Sequence, residues 1–296
     1  MIYEYDAAII GGDLRQIYLS GVLEKSGYKV ITYGLNDKDL NINLKKAKNA
    51  EEAIKSSKTV IAPIPFSKDK THVTGLSSNS IDFFKELTVQ EFLSHLGQEH
   101  YLIGGNIPKE AIEYCSIKNI PYYDLMKNDE ITLLNAIATA EGAIAEAICK
   151  SVVNLHQNTC LVLGYGRCAK VLAAKLNGLG SKVTVCARNQ QSLVESYTNN
   201  FSCLKLNELK NSIHGFNYIF NTIPAVILNK ELLSLLSKET TIIDIASSPG
   251  GLDYNAAKEL NLNAHLCLGI PGKTAPKASA EILAEAIIPI LKGRRD

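Results

Sequence analysis

The segment Thr159-Cys-Leu-Val-Leu-Gly164-Tyr165-Gly166-Arg167-Cys168-Ala169 has the residue types and spacing that can hold a dinucleotide. An apolar run of strand length meets the turn Gly164-x-Gly166-x-x-Ala169, and an amphipathic helix follows. The first glycine makes the turn, and the second lets the backbone approach a pyrophosphate. The small third residue lets the helix pack on the strand, with the N–H groups of its first turn facing the phosphates. Gly164, Tyr165, Gly166, Arg167 and Cys168 are the expected cofactor contacts.

An NAD site usually carries Asp or Glu at the end of the next strand, to bind the adenosine ribose hydroxyls. Here that strand, Lys182 to Cys186, runs into Ala187-Arg188-Asn189 with no carboxylate. Arg188 is placed to pair with a 2′-phosphate, so NADP is the expected cofactor and NAD the alternative.

Three more loops carry groups that could meet a nicotinamide or a carboxylate. Asn221-Thr222-Ile223-Pro224 follows an apolar strand and offers an amide and a hydroxyl. Ser247-Ser248-Pro249-Gly250-Gly251 offers two hydroxyls on a backbone small enough for close approach. In Gly269-Ile-Pro271-Gly-Lys273-Thr-Ala-Pro276-Lys277, two lysines enter the last helix, an arrangement that attracts anions. Near the start of the chain, Gly11-Gly12-Asp13-Leu14-Arg15-Gln16 is a second glycine turn without the dinucleotide spacing. Arg15 falls in a first helical turn, poorly matched to the helix dipole, and either faces an anion or is a surface arginine.

These loops need strands to carry them. Apolar runs at 7–10, 29–33, 59–62, 100–103 and 121–124 alternate with helical segments, several ending in glycine or proline. A second alternation begins at Thr159 and continues with runs at 182–186, 203–206, 218–221, 241–245 and 264–267. Such alternation predicts two doubly wound α/β domains with parallel sheets, and a ligand cleft between them. The boundaries read as an N-terminal domain over 1–130, a connecting helix over 131–155, a Rossmann domain over 156–272, and a terminal segment over 273–296. The helix of that last segment, about 278–291, is expected to return to the first domain.

Composition narrows the function classes. With 31 basic and 30 acidic residues the net charge is +1, which gives no basic face for nucleic acid. No basic, apolar leader opens the chain, and Glu141 and Glu146 interrupt the most apolar stretch, 131–149. An export signal and a membrane span are therefore not expected. Seven cysteines without a C-x-x-C pair predict buried, reduced thiols at Cys149, Cys160, Cys186, Cys203 and Cys267, in a cytoplasmic protein. The six histidines show no ligand spacing, so no metal site is expected.

Taken in order, Gly11-Gly-Asp-x-Arg15-Gln16, Thr139-Ala-Glu141-Gly142, Gly164-x-Gly166-Arg167, Asn221-Thr-Ile-Pro224, Ser247-x-Pro-Gly-Gly251 and Pro271-Gly-x-x-Ala-Pro-Lys277 resemble the A subunit of dipicolinate synthase. The resemblance spans nearly the full length. It implies a flavodoxin-like first domain and a Rossmann second domain. It also implies oxidation of dihydrodipicolinate to dipicolinate with a nicotinamide cofactor, in the mother cell of a sporulating bacterium, beside a flavoprotein-like B subunit. The expected assembly includes a homo-oligomer as well. On this reading Arg15, Thr139, Ser247, Ser248, Gly250 and Gly251 meet the substrate, with Asn221 and Thr222 near the nicotinamide. Lys277 holds a carboxylate and acts in catalysis, and Glu141 is a base or orients Lys277.

The second half also resembles 2-hydroxyacid dehydrogenases. Pro276-Lys277 stands where those enzymes carry a histidine, and Ser247-Ser248 stands where they carry an arginine, so lactate-type chemistry is disfavoured. The rival readings are a shikimate- or methylene-folate-type dehydrogenase, against which the missing N-terminal lysine–aspartate pattern counts though Lys68 and Asp69 keep it open, and a cofactor-binding regulatory protein without turnover.

Overall fold

A computed structural model describes residues 3–36, 45–76 and 86–295. The chain forms two compact units, Met1–Thr132 with Pro276–Asp296, and Leu133–Ala275.

The first unit runs β1 (Tyr5–Ile10), α1 (Leu14–Lys25), β2 (Val30–Tyr33), α2 (Ala50–Lys55), β3 (Ser57–Ile61), α3 (Val89–Ser94), β4 (Tyr101–Gly104), α4 (Lys109–Lys118) and β5 (Tyr122–Asp124). Its strands pair in parallel in the order β2-β1-β3-β4-β5, the flavodoxin-like arrangement. Strand β1 shows why the sheet is covered on both faces. Ala8 and Ile10 point into one core with Val60, Phe66 and Phe92, while Ala7 and Ile9 point into another with Ile17, Leu19 and Leu23. Side chains alternate along a strand, so a run without polar breaks requires cover on both sides.

Helix α5 (Asp129–Lys150) follows, and the division between the units falls after its first turn. The second unit continues with β6 (Thr159–Leu163), α6 (Arg167–Gly178), β7 (Lys182–Ala187), α7 (Gln190–Thr198), β8 (Ser202–Lys205) and α8 (Leu209–Ser212). It ends with β9 (Tyr218–Asn221), α9 (Lys230–Leu233), β10 (Thr241–Asp244), α10 (Tyr254–Glu259), β11 (Asn263–Leu266) and α11 (Ile270–Thr274). The sheet order β11-β10-β9-β6-β7-β8 is the Rossmann order, all parallel. Strand β6 splits its side chains as β1 does, Cys160 and Val162 to one core, Leu161 and Leu163 to the other. The order reverses at β6, between β9 and β7, and ligands of such sheets bind beyond the carboxyl ends of the strands there.

The last helix, α12 (Pro276–Arg295), packs against α1 within the first unit. Ala280, Leu283, Ala284, Ile287 and Leu291 join the core of Ile17, Leu19 and Leu23. Each of the large aliphatic side chains contributes about 1.5–3 kcal/mol by leaving water. Arg294 adds a hydrogen bond from Nη2 to the Glu99 carbonyl at 3.1 Å and lies over the Tyr101 ring.

One expectation needs correction. Cys149 and Cys203 are exposed, while Cys115, Cys160, Cys186 and Cys267 are buried. Cys149 lies on the solvent side of α5, and Cys203 on the edge strand β8, where one side has no neighbouring strand. Helix α5 is also long and apolar enough to cross a membrane despite Glu141 and Glu146. Its Ala140, Ala143 and Ala147 face instead packs with Cys160 and Val162 in the core of the second unit.

Candidate active site

The turn after β6 is built to leave space. Gly164 has φ +94°, a left-handed conformation that favours glycine, and its N–H bonds to the Cys186 carbonyl at 2.8 Å. A Cβ at Gly164 would lie 2.6 Å from Thr222 Oγ1, so the turn can sit against the loop after β9 only without a side chain. Gly166 is the N-cap of α6, and no side chain caps the helix there. A Cβ at Gly166 would meet nothing within 4 Å. An uncapped helix start behind a bare glycine fits a pyrophosphate, which would take its place against the N–H groups of the first turn.

The other turn residues serve this cradle indirectly. Tyr165 is buried, its ring edge-on to Phe201 with centroids 6.4 Å apart, so only its backbone is available to a cofactor. Arg167 is exposed in the first turn of α6. Cys168 is half-buried; burial pushes its thiol up, while Arg167 and a hydrogen bond with Thr139 pull the other way. That contact, with the 2.8 Å ion pair between Glu141 and Lys175, ties α5 to α6. Thr139 also donates to the Asn135 carbonyl at 2.9 Å.

At the end of β7, Ala187 is buried, Arg188 is exposed, and Asn189 caps α7 by accepting from the Ser192 N–H at 2.7 Å. The β7–β8 register sets Ala187 beside Lys205, so a second exposed cation stands one strand away from the Arg188 loop. The missing acid marks this edge in the sequence, but Lys205 is identified only by the pairing.

The loops after β9 and β10 are joined by a buried carboxylate to which the sequence pattern alone assigns no role. Asp244 is fully buried. Oδ1 accepts from Asn221 Nδ2 at 2.8 Å and from the Ala246 N–H at 3.0 Å. Oδ2 accepts from the Gly251 N–H at 2.6 Å and from the Tyr254 hydroxyl at 2.5 Å. Burial and the bond to Asp244 push the Tyr254 phenol far up, which keeps it a donor. Gly250, at φ +90°, and Gly251 wrap this group. A Cβ on Gly250 would lie 2.7 Å from Asp244 Oδ2, and one on Gly251 would lie 2.2 Å from Asn221 Nδ2. The available signal is an acid closing the apolar strand Thr241-Ile-Ile-Asp244.

Asn221 is therefore corrected. Its amide is fully buried, donating to Asp244 and to the Ile223 carbonyl and accepting from the Ile223 N–H, and is not presented to a nicotinamide. The Thr222 hydroxyl donates to the Leu163 carbonyl at 2.8 Å and locks the β9 loop to the glycine turn. Ile223 is half-buried and Pro224 exposed. Ser247 and Ser248 stand exposed at the loop tip above Asp244.

In the first unit Arg15 is also corrected. Only 6% of its side chain is exposed. The guanidinium grips the Asp13 carboxylate through Nε at 2.9 Å and Nη2 at 2.8 Å, and Nη2 also reaches the Ile64 carbonyl. A cation so matched to its own helix cap holds the turn together and is not offered to an anion. Lys277 is exposed in the first turn of α12, and Lys273 is exposed on α11.

Comparison with known proteins agrees with this geometry. Residues 6–126 match the family described as the N-terminal domain of the dipicolinate synthase A subunit, and residues 144–260 match shikimate / quinate 5-dehydrogenase. The dipicolinate synthase A subunit of Bacillus subtilis (strain 168) is 29% identical over 288 residues, 96% of this chain and 95% of that protein. Along its length the chain is thus similar to dipicolinate synthase A subunits. Crystal structures of two dipicolinate synthase A subunits are similar to it over nearly its full length. For the Bacillus halodurans protein the TM-score is 0.84 at 27% identity, covering 98% of this chain and 99% of that one. For the Bacillus subtilis protein it is 0.82 at 27% identity, covering 100% and 98%. The second unit thus has a dehydrogenase-type nucleotide fold, and these matches support an oxidoreductase.

Proposed function

We propose that the chain oxidises dihydrodipicolinate to dipicolinate, with NADP as hydride acceptor. The observation that carries the reading is an open dinucleotide cradle, Gly164–Cys168, in a chain that resembles the dipicolinate synthase A subunit from end to end. A nicotinamide held at Gly164–Cys168 would accept the hydride. The ring would lose that hydride and release one proton to water, becoming aromatic, which supplies the driving force. The chain's own task is then to hold two carboxylates and present one ring carbon, and orientation of that kind supplies much of a rate enhancement.

We assign the Ser247 and Ser248 hydroxyls and the Lys277 ammonium to the carboxylates. The Gly250–Gly251 backbone and Thr139 remain proposed substrate neighbours. Glu141 is not carried forward as the base, because its carboxylate is paired with Lys175. Arg188, with Lys205 beside its loop, supports NADP over NAD. The lettered family name supports a partner B subunit, and the same resemblance supports a role in sporulation in the mother-cell cytoplasm.

The match to shikimate / quinate 5-dehydrogenase favours a second reading for the nucleotide half. Against it, the Asp69 carboxylate is already engaged by His72 Nδ1 at 2.7 Å and by the N–H groups of Thr71 and His72. The test is purified chain with NADP and enzymatically generated dihydrodipicolinate, followed by the ultraviolet absorbance of dipicolinate. Product is expected, at a rate that falls at least about tenfold in Lys277→Ala. No product from the chain alone or with a B subunit sinks the proposal.

A further inference from the structure

We propose that Asp244, with Tyr254 as its donor, is the positioning residue that sets the loop bearing Ser247 and Ser248 against the cofactor turn. The inference rests on the reaction proposed above for its kinetic readout only. A buried carboxylate without a cation is costly unless donors satisfy its oxygens, and no lysine or arginine pairs with Asp244 among the described residues. Its four donors come from three places: the Asn221 amide after β9, the Ala246 and Gly251 N–H groups on either side of the serine tip, and the Tyr254 hydroxyl on α10. The carboxylate therefore closes residues 244–251 into a ring and joins that ring to the β9 loop.

The connection continues to the cofactor side. Asn221 is held by both backbone polar groups of Ile223, and the adjacent Thr222 holds the Leu163 carbonyl directly before Gly164. From glycine turn to serine tip, the path runs Leu163, Thr222, Asn221, Asp244, Gly251, each step a hydrogen bond or a peptide link. Gly250 and Gly251 carry no Cβ because one would strike this network. A polar network satisfied at each member fixes one geometry, and a reacting group displaced by an ångström loses a large part of its rate.

Asp244→Asn keeps the size but turns one acceptor into a donor facing donors, and Tyr254→Phe removes a single donor. In Asp244→Asn, kcat is expected to fall by about 10- to 100-fold, while the NADPH dissociation constant changes by less than about threefold. Amide exchange at Ala246 and Gly251 should quicken by about tenfold or more. Tyr254→Phe should shift the same quantities in the same direction by less, and it decides the matter alone if Asp244→Asn does not fold. Unchanged exchange at both amides, or kcat loss that only follows the unfolded fraction, overturns the proposal. Should the wild-type chain make no dipicolinate, the proposed reaction fails, while exchange and NADPH titration still test the network.

Discussion

The two glycine turns follow the same recipe of strand, glycine, helix, yet one is closed and the other open. In the first unit, the space beside Gly12 is filled by the Gln16 side chain, 2.5 Å from where a Cβ would stand, and a Cβ on Gly11 would lie 2.7 Å from the Thr74 carbonyl oxygen. Asp13 caps α1 in a capping box with Gln16, and Arg15 neutralises the cap. In the second unit Gly166 faces open space, and no side chain caps α6. A helix start satisfied by its own sequence has nothing left for a ligand; one left bare does. The glycine spacing matters less than whether the residues after it supply a cap.

The comparison can be broken most forcefully at the closed turn. Asp13→Ala removes the cap and leaves Arg15 without its carboxylate. Because Asp13 is one-third exposed, we expect a loss of about 2–4 kcal/mol on denaturant unfolding rather than the full cost of a buried orphan charge. NADPH affinity should not change. A variant as stable as the wild type would show that the Asp13–Arg15 pair does not hold the turn.

A smaller effect sharpens the open turn. Arg188→Ala should weaken NADPH binding by about tenfold, roughly 1.4 kcal/mol, and leave NADH binding as it was. Equal losses for both cofactors would mean that Arg188 does not read the 2′-phosphate. Lys205→Ala should act in the same direction with a lesser loss.

The smallest effect lies in the loop that packs near the closed turn. His72 is held between Asp69 and Glu86, and the Asp69 hydrogen bond and both charges raise its pKa. A raised folded value means that protonation favours the fold. The contribution is complete below the unfolded value, about 6.5, and is lost as pH rises through the higher folded value. The stability gap between wild type and His72→Gln should therefore narrow from pH 6 towards alkaline pH, as read by thermal unfolding. A gap that widens would reverse the sign.

Much of the fold was legible because most of the parallel strands are buried on both faces and read as apolar runs, and the eleven described strands lie within a residue or two of their runs. The cradle was legible for a local reason, since strand, turn and helix are contiguous. The errors arose where burial or distance decides. Asn221 ends a strand as a polar residue, and its sequence does not say whether the amide faces out or, as here, towards Asp244 23 residues later. Glu141 meets Lys175 across 34 residues. For Arg15 the deciding feature is local: Asp13-x-x-Gln16 spells a capping box, and a capped helix start needs no outside anion.

The most direct test is NADPH titration of the wild type and Gly166→Val, with thermal unfolding in parallel. The extended backbone at Gly166 accepts valine, and its side chain would enter only the open space of the cradle. We expect the wild type to bind and the variant to lose about 100-fold or more in affinity, with stability changed by no more than about 1 kcal/mol. Wild-type affinity retained in Gly166→Val would contradict the assignment of this turn as the dinucleotide site.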